Sequence, residues 1–262
     1  MSPTRTWGVR VDPAAAGPLN MARDHAMALS VGTGSGSLRW YGWRTPTLSL
    51  GRNEPAVGRW ASERLAAEGV DVVRRPTGGR AVLHHRELTY ALAVPAEGPG
   101  SVRRLHSAAG AALTEGLRRL GVPAALAPGG PAHAPDAGPC FRTPAAGEVI
   151  VGGRKLVGSA QVRVEGKLLQ HGSILLQDDQ RLLARLVASP RSAGADEASS
   201  TFLGAWLDPV PSWDALVEVF TSAFRDTLGG DWHGASAAIT LDPALVESLE
   251  RHYRSSAWTW RR

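Results

Sequence analysis

The stretch that most constrains the fold is "EVIVGGRKLVGSAQVRVEGKLLQHGSILL" (148–176). It holds three apolar runs separated by Gly152-Gly153 and Glu165-Gly166. Glycine supplies the positive φ of tight hairpin turns, so these runs are expected to pair as antiparallel neighbours. A second stretch, "VVRRPTGGRAVLHHRELTYAL" (72–92), reads as strand, loop, strand, tight turn and strand. In its last strand Leu88, Tyr90, Leu92 and Val94 alternate with Thr89, Ala91 and Ala93 at the period-two spacing of a sheet. Hairpins of this kind argue against a doubly wound βαβ chain and for an α+β fold.

The helices fit around those strands. Helical spacing is found at 18–30, with Asn20 as the expected cap, and at 55–68, with Val57, Trp60, Ala61 and Leu65 inward. Strands are expected at 37–43 and 47–51, around the Thr45-Pro46 turn. Ser101 is placed to cap a long helix with the stripe Leu105, Ala109, Leu113, Leu117 and Leu120, closed by Gly121. Residues 127–140 and 188–200 are too rich in small, Gly and Pro residues for regular structure, and helices at 212–228 and 242–254 finish the chain.

Composition narrows the function classes. The 262 residues carry 29 basic and 24 acidic side chains, a net charge of +5, with 43% hydrophobic residues. No apolar run is long enough to span a bilayer, and the first residues lack a signal-like apolar core. One cysteine excludes an intramolecular disulfide framework and suits a reducing cytoplasm, the expected location. The basic residues are dispersed apart from four Arg-Arg pairs, so a solvated surface or an acidic protein partner is favoured over nucleic acid. The eight histidines and single cysteine show no metal-ligand spacing.

Four features are candidates for chemistry. The turn Arg74-Arg75-Pro76-Thr77-Gly78-Gly79 pairs guanidinium forks with glycines that let a ligand approach the backbone. It is no P-loop, because no Gly-Lys-Ser/Thr follows. Cys140 reads either as a small buried hydrophobe or as a nucleophile. As a nucleophile it needs a neighbour that favours the thiolate, and Lys155, His84, His85 and His171 are the candidates. Lys155, followed by Leu156, Val157, Gly158, Ser159 and Ala160, reads either as a solvated strand lysine or as a cleft residue. His171, between Gln170 and Gly172, is equally open to a structural or a ligand role.

In combination, "RRPTGGRAVLHHRELTY", "CF" at 140–141 and "GRKLVGSAQVR…LLQHGSILL" resemble the biotin/lipoate ligase superfamily. The resemblance is strongest to its cysteine-dependent octanoyltransferase branch. "NMARDHA", "RWYGWRTPTLSLGR" and "SSAWTWRR" fit the same family in the same order, so the likeness spans nearly the whole chain. It implies a mixed, largely antiparallel sheet flanked by helices, the biotin/lipoate ligase catalytic-domain fold, with 1–262 as a single domain lacking the extra C-terminal domain of many lipoate ligases.

The resemblance also implies an acyl site lined by Arg75, Thr77, Gly78, Gly79 and His84, with Lys155 and Gly158-Ser159-Ala160 opposite, and His171 and Gly172 on the neighbouring strand. Cys140 falls on the acyl-accepting cysteine, with Lys155 as its catalytic companion. The implied reaction moves octanoate from acyl carrier protein to a lysine of a lipoyl domain such as glycine-cleavage H protein, with no cofactor. Both partners are usually acidic. An ATP-dependent lipoate–protein ligase and a lipoyl-domain amidotransferase are the alternatives within the fold; an acyl-binding or nucleic-acid-associated regulator lies outside it. His85, Glu54 and Gly147 depart from the family's usual Asp, Gln and aromatic residue.

Overall fold

A computed structural model describes residues 5–128, 147–188, 200–234 and 239–262. Its strands are β1 (Thr6–Val11), β2 (Ser35–Tyr41), β3 (Thr47–Leu50), β4 (Asp71–Arg74), β5 (Val82–His84), β6 (Glu87–Pro95), β7 (Ala124–Leu126), β8 (Val149–Val151), β9 (Arg154–Val164), β10 (Lys167–Leu175) and β11 (Asp231–His233). The helices are α1 (Gly17–Ser30), α2 (Ser62–Ala67), α3 (Ser101–Arg119), α4 (Leu183–Leu186), α5 (Trp213–Leu228), α6 (Pro243–Arg254) and α7 (Ser256–Thr259). The main sheet runs β11-β1-β2-β6-β10-β9-β8-β7, and a small sheet runs β4-β3-β5. Among the described strands, β11–β1, β1–β2 and β3–β4 are parallel and the other pairs antiparallel, as expected of an α+β fold.

The alternation in β6 explains how the layers form. Leu88, Tyr90, Leu92 and Val94 point into one core beneath α3 and α5, with Leu113, Leu117, Phe220 and Phe224. Ala91 and Ala93 point into a second, with Met21 and Met27 of α1 and Tyr253 of α6. Both faces of the central strand are therefore buried. Small residues face α1 because that helix packs close to the sheet. Truncating a buried leucine here costs about 2–5 kcal/mol through lost contact and the cavity it leaves. The expected hairpins are present, with Glu165 and Gly166 at φ +44° and +75° in the β9–β10 turn.

Several boundaries differ from expectation. Residues 55–61 are not helical; only Ser62–Ala67 is. Pro55 and Gly58, the latter at φ +72°, turn the chain, and Val57 is 72% exposed instead of inward. Asn20 does not cap α1, because the helix already begins at Gly17. Its buried amide instead donates to the carbonyls of Ala15 and Gly42 (3.3 and 3.0 Å). Gly100, at φ +74°, holds the cap position of α3, and Ser101 is the first helical residue without a side-chain cap bond. Strands β1, β7 and β11 have no counterpart among the expected elements. They are edge or near-edge strands, and β7 and β11 are three residues each, too short for a period to register. Among the described residues no helix is long and apolar enough to cross a membrane.

Candidate active site

The paired arginines end β4 and both are turned inward. Arg74 is wholly buried. Its Nε donates to Thr259 O (2.9 Å), and its Nη1 donates to the carbonyls of Gly51 and Glu54 (2.6 and 2.8 Å). Arg75 clamps the following loop: Nη2 donates to Gly78 O and Arg80 O (2.8 Å each), and Nη1 to Ser49 O and Ser49 Oγ (3.0 Å each). Gly79 is at φ +93°, and a Cβ on the facing Gly51 would lie 1.8 Å from its carbonyl oxygen. The guanidinium forks thus shape the glycine loop by holding its carbonyls, and the glycines let two backbone turns touch.

A pocket lies between this small sheet and the open face of the main sheet, with about 410 Å³ of empty space, part of it continuous with solvent. Ser49, Arg75, Val82 and His84 form one wall; Gly158, Ser159, Ala160, His171, Gly172 and Ser173 form the other. Met21, Tyr41, Trp43 and Thr89 complete it. The register explains the second wall: His171 faces Ala160, and Ser173 faces Gly158, so small residues on β9 leave room in front of β10. Gly172 is packed too closely to take a Cβ without displacing its neighbours. A Cβ there would lie 2.4 Å from Gly158 O and 2.7 Å from the Tyr90 ring. Behind that wall, Tyr90 and Ser159 share a hydrogen bond (2.8 Å). Burial pushes the Tyr90 hydroxyl up to about 12 despite Ser159 and Gln170.

Two acid–histidine–hydroxyl lines cross the pocket walls. In the first, His171 Nδ1 lies 2.9 Å from Asp24 Oδ2 and His171 Nε2 lies 2.7 Å from Thr77 Oγ1. Asp24 also receives hydrogen bonds from Arg39 (2.6 Å) and Tyr41 (2.8 Å), and all five side chains are buried. Burial alone would raise the Asp24 carboxyl; Arg39, His171 and Tyr41 outweigh it and hold the carboxyl below the usual range. Burial lowers His171, against the pull of Asp24, so the ring is neutral near pH 7. Its Nδ1–H then faces the carboxylate, and Nε2 accepts the Thr77 hydroxyl proton.

In the second line, Glu87 Oε1 lies 2.8 Å from His84 Nδ1, and His84 Nε2 lies 2.7 Å from Ser49 Oγ. The same Glu87 oxygen accepts from Ser173 (2.7 Å), Thr89 (2.5 Å) and Trp43 (3.0 Å), and Trp43 stacks on the His84 ring at 4.1 Å. Ser173 and Thr89 therefore direct their protons toward the carboxylate, away from a guest.

Seven of the expected residues line this one pocket: Arg75, His84, Gly158, Ser159, Ala160, His171 and Gly172. Thr77, Gly78 and Gly79 do not line it and instead build the loop that borders it. His85 is turned away, 39% exposed at its side chain and 3.8 Å from Asp179. Lys155 is not part of the lining either. It is fully buried on β9, with Nζ 2.5 Å from Glu148 Oε1. Glu148 follows a closed junction: Gly147 N donates to Ala127 O (3.0 Å) and Ala127 N to Glu148 O (2.7 Å). Cys140 lies outside the described residues. Among the described residues no cluster of three or more His, Cys, Asp or Glu side chains is arranged to hold a metal ion.

Residues 17–225 match the family described as lipoyl protein ligase A/B catalytic domain. The chain belongs to that family. It is 41% identical over 248 residues to Octanoyltransferase LipM of Symbiobacterium thermophilum, covering 89% of this chain and 87% of that one. It is 36% identical over 274 residues to Octanoyltransferase LipM of Kyrpidia tusciae, covering 98% and 100%. A crystal structure of lipoate-protein ligase A bound with ATP superposes with a TM-score of 0.76 at 21% identity, covering 98% of each chain. A Thermoplasma acidophilum bipartite lipoate protein ligase gives 0.77 at 20% identity, covering 99% and 97%. At that identity the two structures speak for the fold alone.

Within the family fold, the side chains that single-residue reasoning passed over are Asp24, Arg39, Trp43, Glu87, Glu148 and Ser173. Asp24 and Glu87 sit in quoted motifs, "NMARDHA" and "HHRELTY", beside residues that drew attention. An acid three residues after His84 was the available signal for Glu87. Asp24 meets His171 across 147 residues of chain, which no local pattern announces.

Proposed function

We propose that the chain is an octanoyl-[acyl-carrier-protein]:protein N-octanoyltransferase that works through a thioester on Cys140. The observation that carries this reading is the likeness to octanoyltransferases over nearly the whole chain, 41% identity across 89% of it. The donor is octanoyl acyl carrier protein, and the acceptor is a lysine of a lipoyl domain, of the glycine-cleavage H protein type.

The reaction runs in two balanced exchanges. The Cys140 thiolate attacks the donor carbonyl; a new C–S bond forms, and the carrier sulfur leaves with the electron pair and takes up a proton. The neutral amine of the acceptor lysine then attacks the Cys140 thioester; an amide C–N bond forms, the cysteine sulfur leaves with the electron pair as the thiolate, and the nitrogen gives up one proton to solvent. The donor thioester is already activated, so the acyl group needs no adenylation. Lys155 acts in this scheme as the cation that stabilises the thiolate, with Glu148 holding its ammonium group. Arg75 and His84 line the acyl site with Gly158, Ser159, Ala160, His171 and Gly172, and Thr77, Gly78 and Gly79 build the loop that borders it. Burial of the chain contributes roughly 0.8 kcal/mol per CH₂.

The test is transfer without ATP. Incubation with octanoyl acyl carrier protein and apo H protein yields H protein octanoylated on lysine, read by intact mass. Lys155→Met lowers the rate by about two orders of magnitude or more, the scale of a lost acid–base or charge-stabilising group. Modification that appears only with free octanoate or lipoate and ATP defeats the proposal.

A further inference from the structure

Arg52, Arg261 and Arg262 form an exposed group built onto the glycine loop. Arg52 N donates to Thr77 O (2.8 Å), which ties the group to the loop bordering the pocket. The Arg261 guanidinium lies 3.8 Å over the Trp258 ring and donates to Arg52 O. The Arg262 carbonyl accepts from Ala56 N and Val57 N (2.9 and 3.0 Å), beside the 72%-exposed Val57. Beneath them, Arg74 is buried and its Nη2 has no hydrogen-bond partner among the described residues.

Among the described residues none of the three exposed arginines forms an ion pair. Glu54 is buried, with Oε2 accepting from Gly51 N and Oε1 3.8 Å from Arg59. Burial lowers the Arg261 guanidinium from its ordinary value, and the like charges of Arg52 and Arg262 lower it further. Such repulsion is relieved when a partner supplies negative charge.

We propose that this arginine group, with Val57, is the docking surface for the acyl donor: an acidic carrier protein that presents its thioester on a phosphodiester-linked arm. The inference rests on the proposed function. The donor is favoured over the acceptor domain because it alone brings a phosphate to a site made of guanidinium forks, which match phosphate oxygens in pairs. The link from Arg52 to Thr77 sets the arm's entry beside the pocket wall. Val57 offers an apolar contact within the charged surface.

The test uses Arg52→Glu/Arg262→Glu, whose side chains make no hydrogen bond or ion pair among the described residues. Binding of holo acyl carrier protein, without an acyl group, is measured by fluorescence anisotropy at low and high salt. The native chain binds more weakly as salt rises, and the double variant binds at least tenfold more weakly at low salt with a flattened salt dependence. Octanoyl transfer from octanoyl-pantetheine, which has no protein body, changes less than twofold. Unchanged carrier binding, or loss of binding to apo H protein instead, overturns the inference. Docking without transfer keeps the inference and defeats the proposed function; transfer that ignores the charge reversal does the opposite.

Discussion

His171 Nε2 lies 2.7 Å from the Thr77 hydroxyl, and this bond couples the main sheet to the glycine loop. Behind it stand Asp24 and Arg39, so the loop's position depends on a buried ion pair two side chains away. The loop is held from its other side by Arg75 on the Gly78 and Arg80 carbonyls. One pocket wall is thus fixed by hydrogen bonds from two sheets before any guest enters.

Asp24→Asn tests that coupling. It leaves Arg39, which is fully buried, without one of its two carboxylates and weakens the acceptor for His171. Breaking a buried pair from one side costs about 3–5 kcal/mol. Urea denaturation reads the loss as a lower midpoint at unchanged slope.

Gly172→Ala tests the wall itself. The added methyl meets Gly158 O and the Tyr90 ring at distances that force β9 and β10 apart. The expected cost is about 1–3 kcal/mol of stability, the usual range for overpacking. Octanoyl transfer falls as well, because Gly158 and Ala160 lie on the displaced strand. A thermal melt and a transfer assay on the same preparation check both effects.

Stability also depends on pH in a stated direction. His171, His25 and His106 are held below the ordinary imidazole value, chiefly by burial. Below about pH 6.5 the unfolded chain binds protons that the folded chain does not, so stability is full above that value and falls on acidification. Each such histidine contributes a slope of at most about 1.4 kcal/mol per pH unit. Chemical denaturation from pH 7.5 to 5.0 gives the slope, and His25→Phe reduces it.

Much of the architecture was legible because it rests on local periodicity. The β9–β10 hairpin, the alternation of β6 and the stripe of α3 each repeat a simple pattern over nine or more residues. Strand β7, three residues long, has too few residues to show one. At 55–61 the apolar spacing was helical, yet Pro55 and Gly58 override it, since a turn satisfies their backbone preferences better. The site was legible as residue types and less so as roles. Arg75 read as a ligand fork, but most of its donors hold backbone carbonyls. Lys155 read as a pocket wall, but its ammonium group turns to Glu148 outside the lining. Such partners come from distant parts of the chain and depend on the fold for their meeting.

The central claim is that octanoate passes through Cys140. The most direct measurement mixes the protein with octanoyl acyl carrier protein, without ATP or acceptor, and maps the modified peptide by mass spectrometry. The account predicts one octanoyl group on Cys140, removed by neutral hydroxylamine and absent from Cys140→Ser. An unmodified Cys140 in a preparation that still transfers octanoate to the acceptor lysine would contradict it.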